Sequence, residues 1–184
     1  IESAVHNVKF IQESVPEKVE IKSSVLSEID QHAPQNAIIC SSTSGIKPTS
    51  LQIAMKYADR FMVGHPFNPV YLLPLVEICG GKKTSEKYMN KAAEFYREVG
   101  MKPLLLRKEI DAFIADRLQE AVWREALWLI NDEVATTEEL DDAIRFGFGL
   151  RWAQMGIFET YRIAGGEAGM RHFLSQFGPT LSWP

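Results

Sequence analysis

Arg60-Phe61-Met62-Val63-Gly64-His65-Pro66-Phe67-Asn68-Pro69 is followed shortly by Leu75-Val76-Glu77-Ile78-Cys79-Gly80-Gly81. The runs 60–63 and 75–79 have the length and apolar content of strands, and Gly80-Gly81 ends the second. If the chain reverses near Tyr71, the two strands pair antiparallel. Positions 65 and 77 are then equidistant from the turn, which brings an imidazole and a carboxylate side by side.

Working outward, the same alternation of elements continues. Phe10-Ile11-Gln12 reads as a strand, and Pro16 and Glu17 open a helix carrying Val19, Ile21, Val25, Leu26 and Ile29 on its apolar positions. Ala37-Ile38-Ile39-Cys40 is a continuous apolar run, as expected of a strand buried on both faces. Pro48 suits the first turn of a helix with Leu51, Ile53, Ala54 and Met55. Residues 84–99 read as a helix closed by Gly100, and Pro103-Leu104-Leu105-Leu106 as the last strand. Strands alternating with helices predict an α/β sheet with parallel connections.

After Lys108 the strand signals stop. Residues 111–130 carry a wide apolar face with Phe113, Ile114, Leu118, Ala121, Val122, Leu127 and Trp128, which predicts one long helix. A second helix opens at Thr137-Glu138-Glu139-Leu140 with Thr136 or Thr137 as N-cap, and ends in Gly147-Phe148-Gly149. A third begins near Met155 or Phe158, and glycines 165, 166 and 169 interrupt the stretch after it. The chain therefore divides into an α/β part, 1–107, and an all-α part, 108–184. The helical part is too small for a large core of its own and is expected to pack on the first part and on another subunit.

The composition is that of an ordinary globular protein: 184 residues, 46% hydrophobic and 24% charged. A net charge of −4 with dispersed basic residues argues against a nucleic-acid or anionic-membrane surface. Cys40 and Cys79 are far apart with no CxxC spacing, so neither a disulfide framework nor a zinc site is expected, and a reducing, cytoplasmic compartment fits. No apolar run reaches membrane-spanning length, and Ile1–Phe10 has no signal-peptide character. The chain opens without a methionine and closes on Leu181-Ser182-Trp183-Pro184, with Trp183 read as exposed. Both ends read as cuts through a longer polypeptide, with a processed mature chain as the alternative.

The candidate chemistry gathers at strand ends. His65 ends an apolar strand, where ligands bind in open α/β sheets. Glu77 beside it would fix the imidazole tautomer and stabilise the imidazolium; the alternative is a capped strand-end histidine and an unrelated surface glutamate. Ser41-Ser42-Thr43-Ser44-Gly45 follows the strand 37–40 and suits either a ligand hydroxyl or a helix N-cap ahead of Pro48. A G-x-S-x-G elbow and a complete G-x-G-x-x-G fingerprint are both absent from the sequence. His6, His32 and His172 have no carboxylate or cysteine at ligand spacing, and no metal is predicted.

Taken in order, Ser-Ser-Thr-Ser (41–44), His-Pro-Phe-Asn-Pro (65–69), Leu-Val-Glu-Ile (75–78) and Phe-Ile-Ala-Asp-Arg-Leu (113–118) resemble the 3-hydroxyacyl-CoA dehydrogenase family through nearly the whole chain. Gly149-Leu150-Arg151-Trp152 and the segment 161–173 look most like the branch of that family acting on L-carnitine. The resemblance implies the C-terminal part of a Rossmann-type NAD-binding domain, with its first βαβ unit missing, joined to a helical substrate and dimerisation domain. It implies an NAD-dependent 3-hydroxy acid dehydrogenase, a homodimer, in which His65 is the general base, Glu77 orients it and Ser44 bonds the reacting oxygen near the nicotinamide. Glu17, Lys22 and Asn68 would line the nicotinamide-ribose end of the cofactor site, and without the first unit this segment alone should bind NAD poorly. L-gulonate or another small hydroxy acid, an acyl-CoA, and a crystallin-like structural role are the competing readings.

One departure bears on the substrate. The family's Pro-Gly-Phe-x-x-Asn-Arg is here Asp111-Ala112-Phe113-Ile114-Ala115-Asp116-Arg117, with a carboxylate in place of the amide. Ionised Asp116 donates no hydrogen bond and repels an anionic oxygen, so it is more comfortable near a cation such as the trimethylammonium of carnitine. Phe148, Trp152, Phe158, Trp123 and Trp128 could wall such a cation, or could equally be core or dimer packing. Arg151 could pair with a substrate carboxylate or with a helix end.

Overall fold

The apolar runs take the strands and the amphipathic stretches cover them. A computed structural model describes residues 1–181, so Trp183 and the chain's last residues lie outside the described residues. In chain order the elements are α1 (Glu2–Val5), β1 (Phe10–Glu13), α2 (Val19–His32), β2 (Ile38–Ser41), α3 (Pro48–Leu51), β3 (Phe61–Pro66), β4 (Leu75–Gly80), α4 (Glu86–Glu98), β5 (Lys102–Leu105), α5 (Ala115–Asn131), α6 (Thr137–Ala143), α7 (Gly149–Trp152), α8 (Ile157–Ala164) and α9 (Gly169–Phe177). Among the described residues the strands form one five-stranded sheet in the order β1-β2-β3-β4-β5. β1, β2 and β3 run parallel, β3 and β4 antiparallel, and β4 and β5 parallel.

Strand side chains alternate between two cores, as the period of two requires. Ile39 and Phe61 face Leu26, Ile29 and Leu51 on one side of the sheet. Ile38, Cys40, Met62, Val76 and Ile78 face Ala92, Ala93 and Tyr96 of α4 on the other. Val63 and Cys79 continue the first face and pack against Leu106 and Phe113. Gly64 is required where it stands: a Cβ there would lie 2.1 Å from the Tyr96 hydroxyl. That hydroxyl donates to Gln12 Oε1 at 2.5 Å, while Gln12 Nε2 donates to the Gly64 carbonyl at 2.9 Å. Burying the phenol and two thiols in this interior pushes Tyr96 up and both Cys40 and Cys79 up to about 12, so the thiols are inert.

Several expected boundaries move for local reasons. The helix expected from Pro16 begins at Val19, and the helix expected at Pro48 is one turn followed by a tighter turn over Gln52–Ala54. The long helix begins at Ala115 rather than 111, because Ala112 (φ 57°) and Phe113 (φ 49°) adopt left-handed backbone. Thr136 is the N-cap of α6: its hydroxyl accepts from the Glu139 amide and its own amide donates to the Glu139 carboxylate. The run that α6 opens widens over Ile144–Phe148 and breaks within the expected glycine run, at Gly147, whose backbone is non-helical (φ −108°, ψ −123°), before α7 starts at Gly149. The chain forms two compact units, 1–121 and 122 onward, with α5 crossing from one into the other. In the second unit, Tyr161 of α8 stacks on Phe173 of α9 with ring centroids 4.7 Å apart, and Trp123, Phe146 and Phe158 are exposed.

A buried ion pair anchors the first unit. Arg60, just before β3, is fully buried and donates to the Asp30 carboxylate at 3.0 Å and the Asp30 carbonyl at 2.9 Å, as well as to the Pro34 carbonyl. The other Asp30 oxygen accepts the Lys56 and Tyr57 amides at 2.7 and 2.9 Å. Removing one partner leaves an uncompensated charge in the core. Asp30→Ala is therefore expected to cost about 3–5 kcal/mol, read as a lowered urea midpoint. The paired change Asp30→Leu with Arg60→Met should cost clearly less; equal losses would show that the pairing does not hold this corner together.

Candidate active site

The β3–β4 ladder pairs His65 with Glu77 in register. Both side chains are buried, and His65 Nδ1 lies 3.1 Å from Glu77 Oε2. The other carboxylate oxygen, Oε1, accepts the backbone amides of Ile114 and Ala115 at 2.9 and 3.0 Å. Those amides belong to the start of α5, where the first N–H groups have no partner within the helix. The left-handed turn at Ala112 and Phe113 aims them at Glu77 and seats Phe113, fully buried, 5.7 Å from the His65 ring. Two such residues cost roughly 1–3 kcal/mol each, offset here by Phe113 burial and the bonds to Glu77.

Electrostatics follows from these contacts. Burial alone would raise the Glu77 carboxyl, but the bond from His65 and the amides of Ala115 and Ile114 outweigh it. The group is held below the ordinary carboxylate range and stays ionised. With Nδ1 committed to Glu77, Nε2 is the nitrogen left for chemistry. Asp116 Oδ2 lies 4.0 Å from it, and partial burial raises that carboxyl, with Glu77 adding to the rise and His65 opposing it.

A second polar cluster sits at the carboxyl ends of β1 and β2. Lys22, 1% exposed, holds Glu13 Oε1 at 2.9 Å and the Val15 carbonyl at 3.0 Å, with Glu17 Oε2 at 3.5 Å. Ser41 Oγ donates to Glu13 at 2.5 Å. Glu17 Oε1 accepts from the Thr43 hydroxyl and, at 3.2 Å, from the Ser44 amide, leaving the Ser44 side chain exposed. Thus Glu17, Lys22 and Ser44 come together, as do His65, Glu77 and Asp116, while Asn68 stands exposed just beyond β3. Sequence reasoning missed Glu13. An acid closing a strand nine residues before a helical lysine was the available signal, and it is an ambiguous one. The exposed hydroxyl, carboxylate and amide groups suit a ribose, which donates and accepts hydrogen bonds; Lys22 supports them from behind.

Phe148 and Trp152 pack edge to face at 4.6 Å in the second unit, and Phe158, Trp123, Trp128 and Arg151 are exposed there. His32 pairs with Glu2 at 3.6 Å, and His6 bonds the Ser3 carbonyl at 3.0 Å. Among the described residues no group of three or more His, Cys, Asp or Glu side chains could hold a metal ion, and no helix is long and apolar enough to cross a membrane.

Comparison with known proteins gives a consistent picture. The chain is 65% identical to the L-carnitine dehydrogenase of Mesorhizobium japonicum, over all of this chain and 51% of that protein. It is 60% identical to the L-carnitine dehydrogenase/betainyl-CoA thioesterase of Rhizobium meliloti, over all of this chain and 37% of that protein. The chain thus spans about half the length of these relatives, or less. Among solved structures, an NAD+ dependent dismutase, 5-formyl-3-hydroxy-2-methylpyridine 4-carboxylic acid 5-dehydrogenase, superposes with a TM-score of 0.89 at 30% identity, covering all of this chain and 59% of that one. The 3-hydroxyacyl-CoA dehydrogenase of Archaeoglobus fulgidus superposes with a TM-score of 0.73 at 25% identity, over 92% of this chain and 59% of that one. Residues 1–110 match the family model "3-hydroxyacyl-CoA dehydrogenase, NAD binding domain", and residues 113–183 match the C-terminal domain of the same enzymes. With both family models matched in order along its length, the chain belongs to the 3-hydroxyacyl-CoA dehydrogenase family.

Proposed function

We propose that the protein carrying this chain oxidises the 3-hydroxyl of L-carnitine to 3-dehydrocarnitine with NAD as hydride acceptor. The observation that carries the catalytic part is the buried His65–Glu77 pair, 3.1 Å apart, with Nε2 turned away from it. Identity of 65% and 60% to proteins named L-carnitine dehydrogenase supports the choice of substrate.

In this reading neutral His65 takes the hydroxyl proton at Nε2 as the C3–H electron pair departs. Glu77 stabilises the resulting imidazolium without accepting its proton, because both its oxygens are already engaged as acceptors. NAD supplies the hydride acceptor when bound at the carboxyl ends of β1 and β2. Ser44 stands exposed there to bond the substrate oxygen, Glu17 and Asn68 line the ribose end, and Lys22 holds Glu13 and Glu17 in place. The protein works as a cytoplasmic homodimer, in keeping with two unpaired cysteines and with exposed Trp123, Trp128 and Phe158 in the helical half.

NADH formation by the full-length protein is expected with L-carnitine in clear preference to L-gulonate or a 3-hydroxyacyl-CoA; the reverse order would discard the carnitine assignment. His65→Ala should lower kcat by about 10²–10⁴-fold with little change in thermal unfolding, and retained turnover would remove His65 as the base. Because the folded-state Glu77 carboxyl is depressed, its stabilising contribution is complete above the ordinary glutamate value of about 4.3 and is lost as pH falls below it through the folded-state value. Glu77→Gln should therefore flatten the acid limb of a stability–pH profile; an unchanged limb would contradict the pairing.

A further inference from the structure

Asp116 is the second residue of α5 and the side chain facing the unpaired nitrogen of His65. The base must be neutral to accept a proton, and in that state Glu77 and Asp116 leave two negative charges around it with no cation among the three. Glu77 is compensated by its hydrogen bonds to His65, Ile114 and Ala115. Asp116 is different: 4.0 Å from Nε2 is beyond hydrogen-bond range, and the same ring is being asked to bond the substrate hydroxyl. A carboxylate so placed repels an anionic or carbonyl oxygen brought near C3 and attracts a positive charge.

We infer that Asp116 is the specificity-determining counter-ion for a quaternary ammonium carried on the carbon next to the reacting one. The inference rests on the function proposed above for the shape of the substrate. In a 3-hydroxy-4-trimethylammonio acid the ammonium nitrogen is two bonds from C3. A hydroxyl held about 2.8 Å from Nε2 therefore brings the ammonium within reach of a carboxylate that itself lies 4.0 Å from Nε2. The upward displacement of the Asp116 carboxyl, caused first by burial and then by Glu77, fits an acid whose partner arrives with the ligand. A plain helix-start acid, stabilised by the helix dipole alone, would show no ligand preference.

The test separates charge from shape by calorimetric titration of the full-length protein with two hydroxyl-free probes. One is γ-butyrobetaine; the other is 5,5-dimethylhexanoate, its uncharged tert-butyl isostere at that end. The wild type should bind the cation at least about tenfold more tightly, and Asp116→Asn and Asp116→Ala should each bring the two probes close to equal affinity. In parallel, the KM for L-carnitine should rise more than kcat falls. Equal affinities in the wild type, or a preference that survives in either folded variant, overturns the assignment. A preference that depends on Asp116 in a protein that forms no NADH from L-carnitine keeps the ammonium site and overturns the carnitine reading. NADH formation with a preference independent of Asp116 does the opposite.

Discussion

Glu77 ties three elements together through one buried carboxylate. It sits on β4, holds the histidine of β3 with one oxygen, and takes the first amides of α5 with the other. A fully buried carboxylate is costly unless its acceptor sites are filled, and here a ring N–H and two backbone N–H groups fill them. The same bonds that make Glu77 tolerable set the imidazole tautomer, leave Nε2 outside the pairing, and hold the start of α5, whose Asp116 lies 4.0 Å from that nitrogen. The strained Ala112–Phe113 turn belongs to this arrangement, since it points both amides at the carboxylate.

Buried charge recurs at other strand ends, with different consequences. Asp30 and Arg60 neutralise each other and bond nearby backbone, so they serve the corner where α2 meets the start of β3. Glu13 and Lys22 also neutralise each other, but the pair holds Glu17, whose carboxylate reaches the loop after β2. In both cases the ions are placed where strands end and backbone donors become available. Around His65 the balance differs: two carboxylates, Glu77 and Asp116, flank one ring.

Both runs, β3 and β4, were legible as strands because they are apolar. Their antiparallel pairing was conditional on a reversal near Tyr71, and given that reversal the register His65 to Glu77 followed from counting, as the ladder has it. The strands and the helices over 19–32 and 86–98 were legible for the same reason, since their periodicity reflects the faces they bury. The start of α5 was not, because 111–114 carries the apolar spacing of a helix while its backbone is bent by contacts made elsewhere. Lys22 was singled out only through the family resemblance, as a residue lining the cofactor site; that its ammonium also holds Glu13 depends on where β1 ends, which no local pattern records.

Sequence by itself determined the order of strands and helices and the family, and it offered the reversal near Tyr71 and the His65–Glu77 pair as one of two readings, which the β3–β4 ladder decides. These rest on local hydrophobic periodicity, on motif order and on spacing along a single hairpin. Tertiary structure decided which oxygen of Glu77 each donor takes, that Lys22 reaches both Glu13 and Glu17, and that Asp116 comes within 4.0 Å of Nε2 of His65. Those outcomes join residues distant in the chain through unsatisfied backbone donors and buried charge. Such forces act only once the sheet has brought the strand ends together.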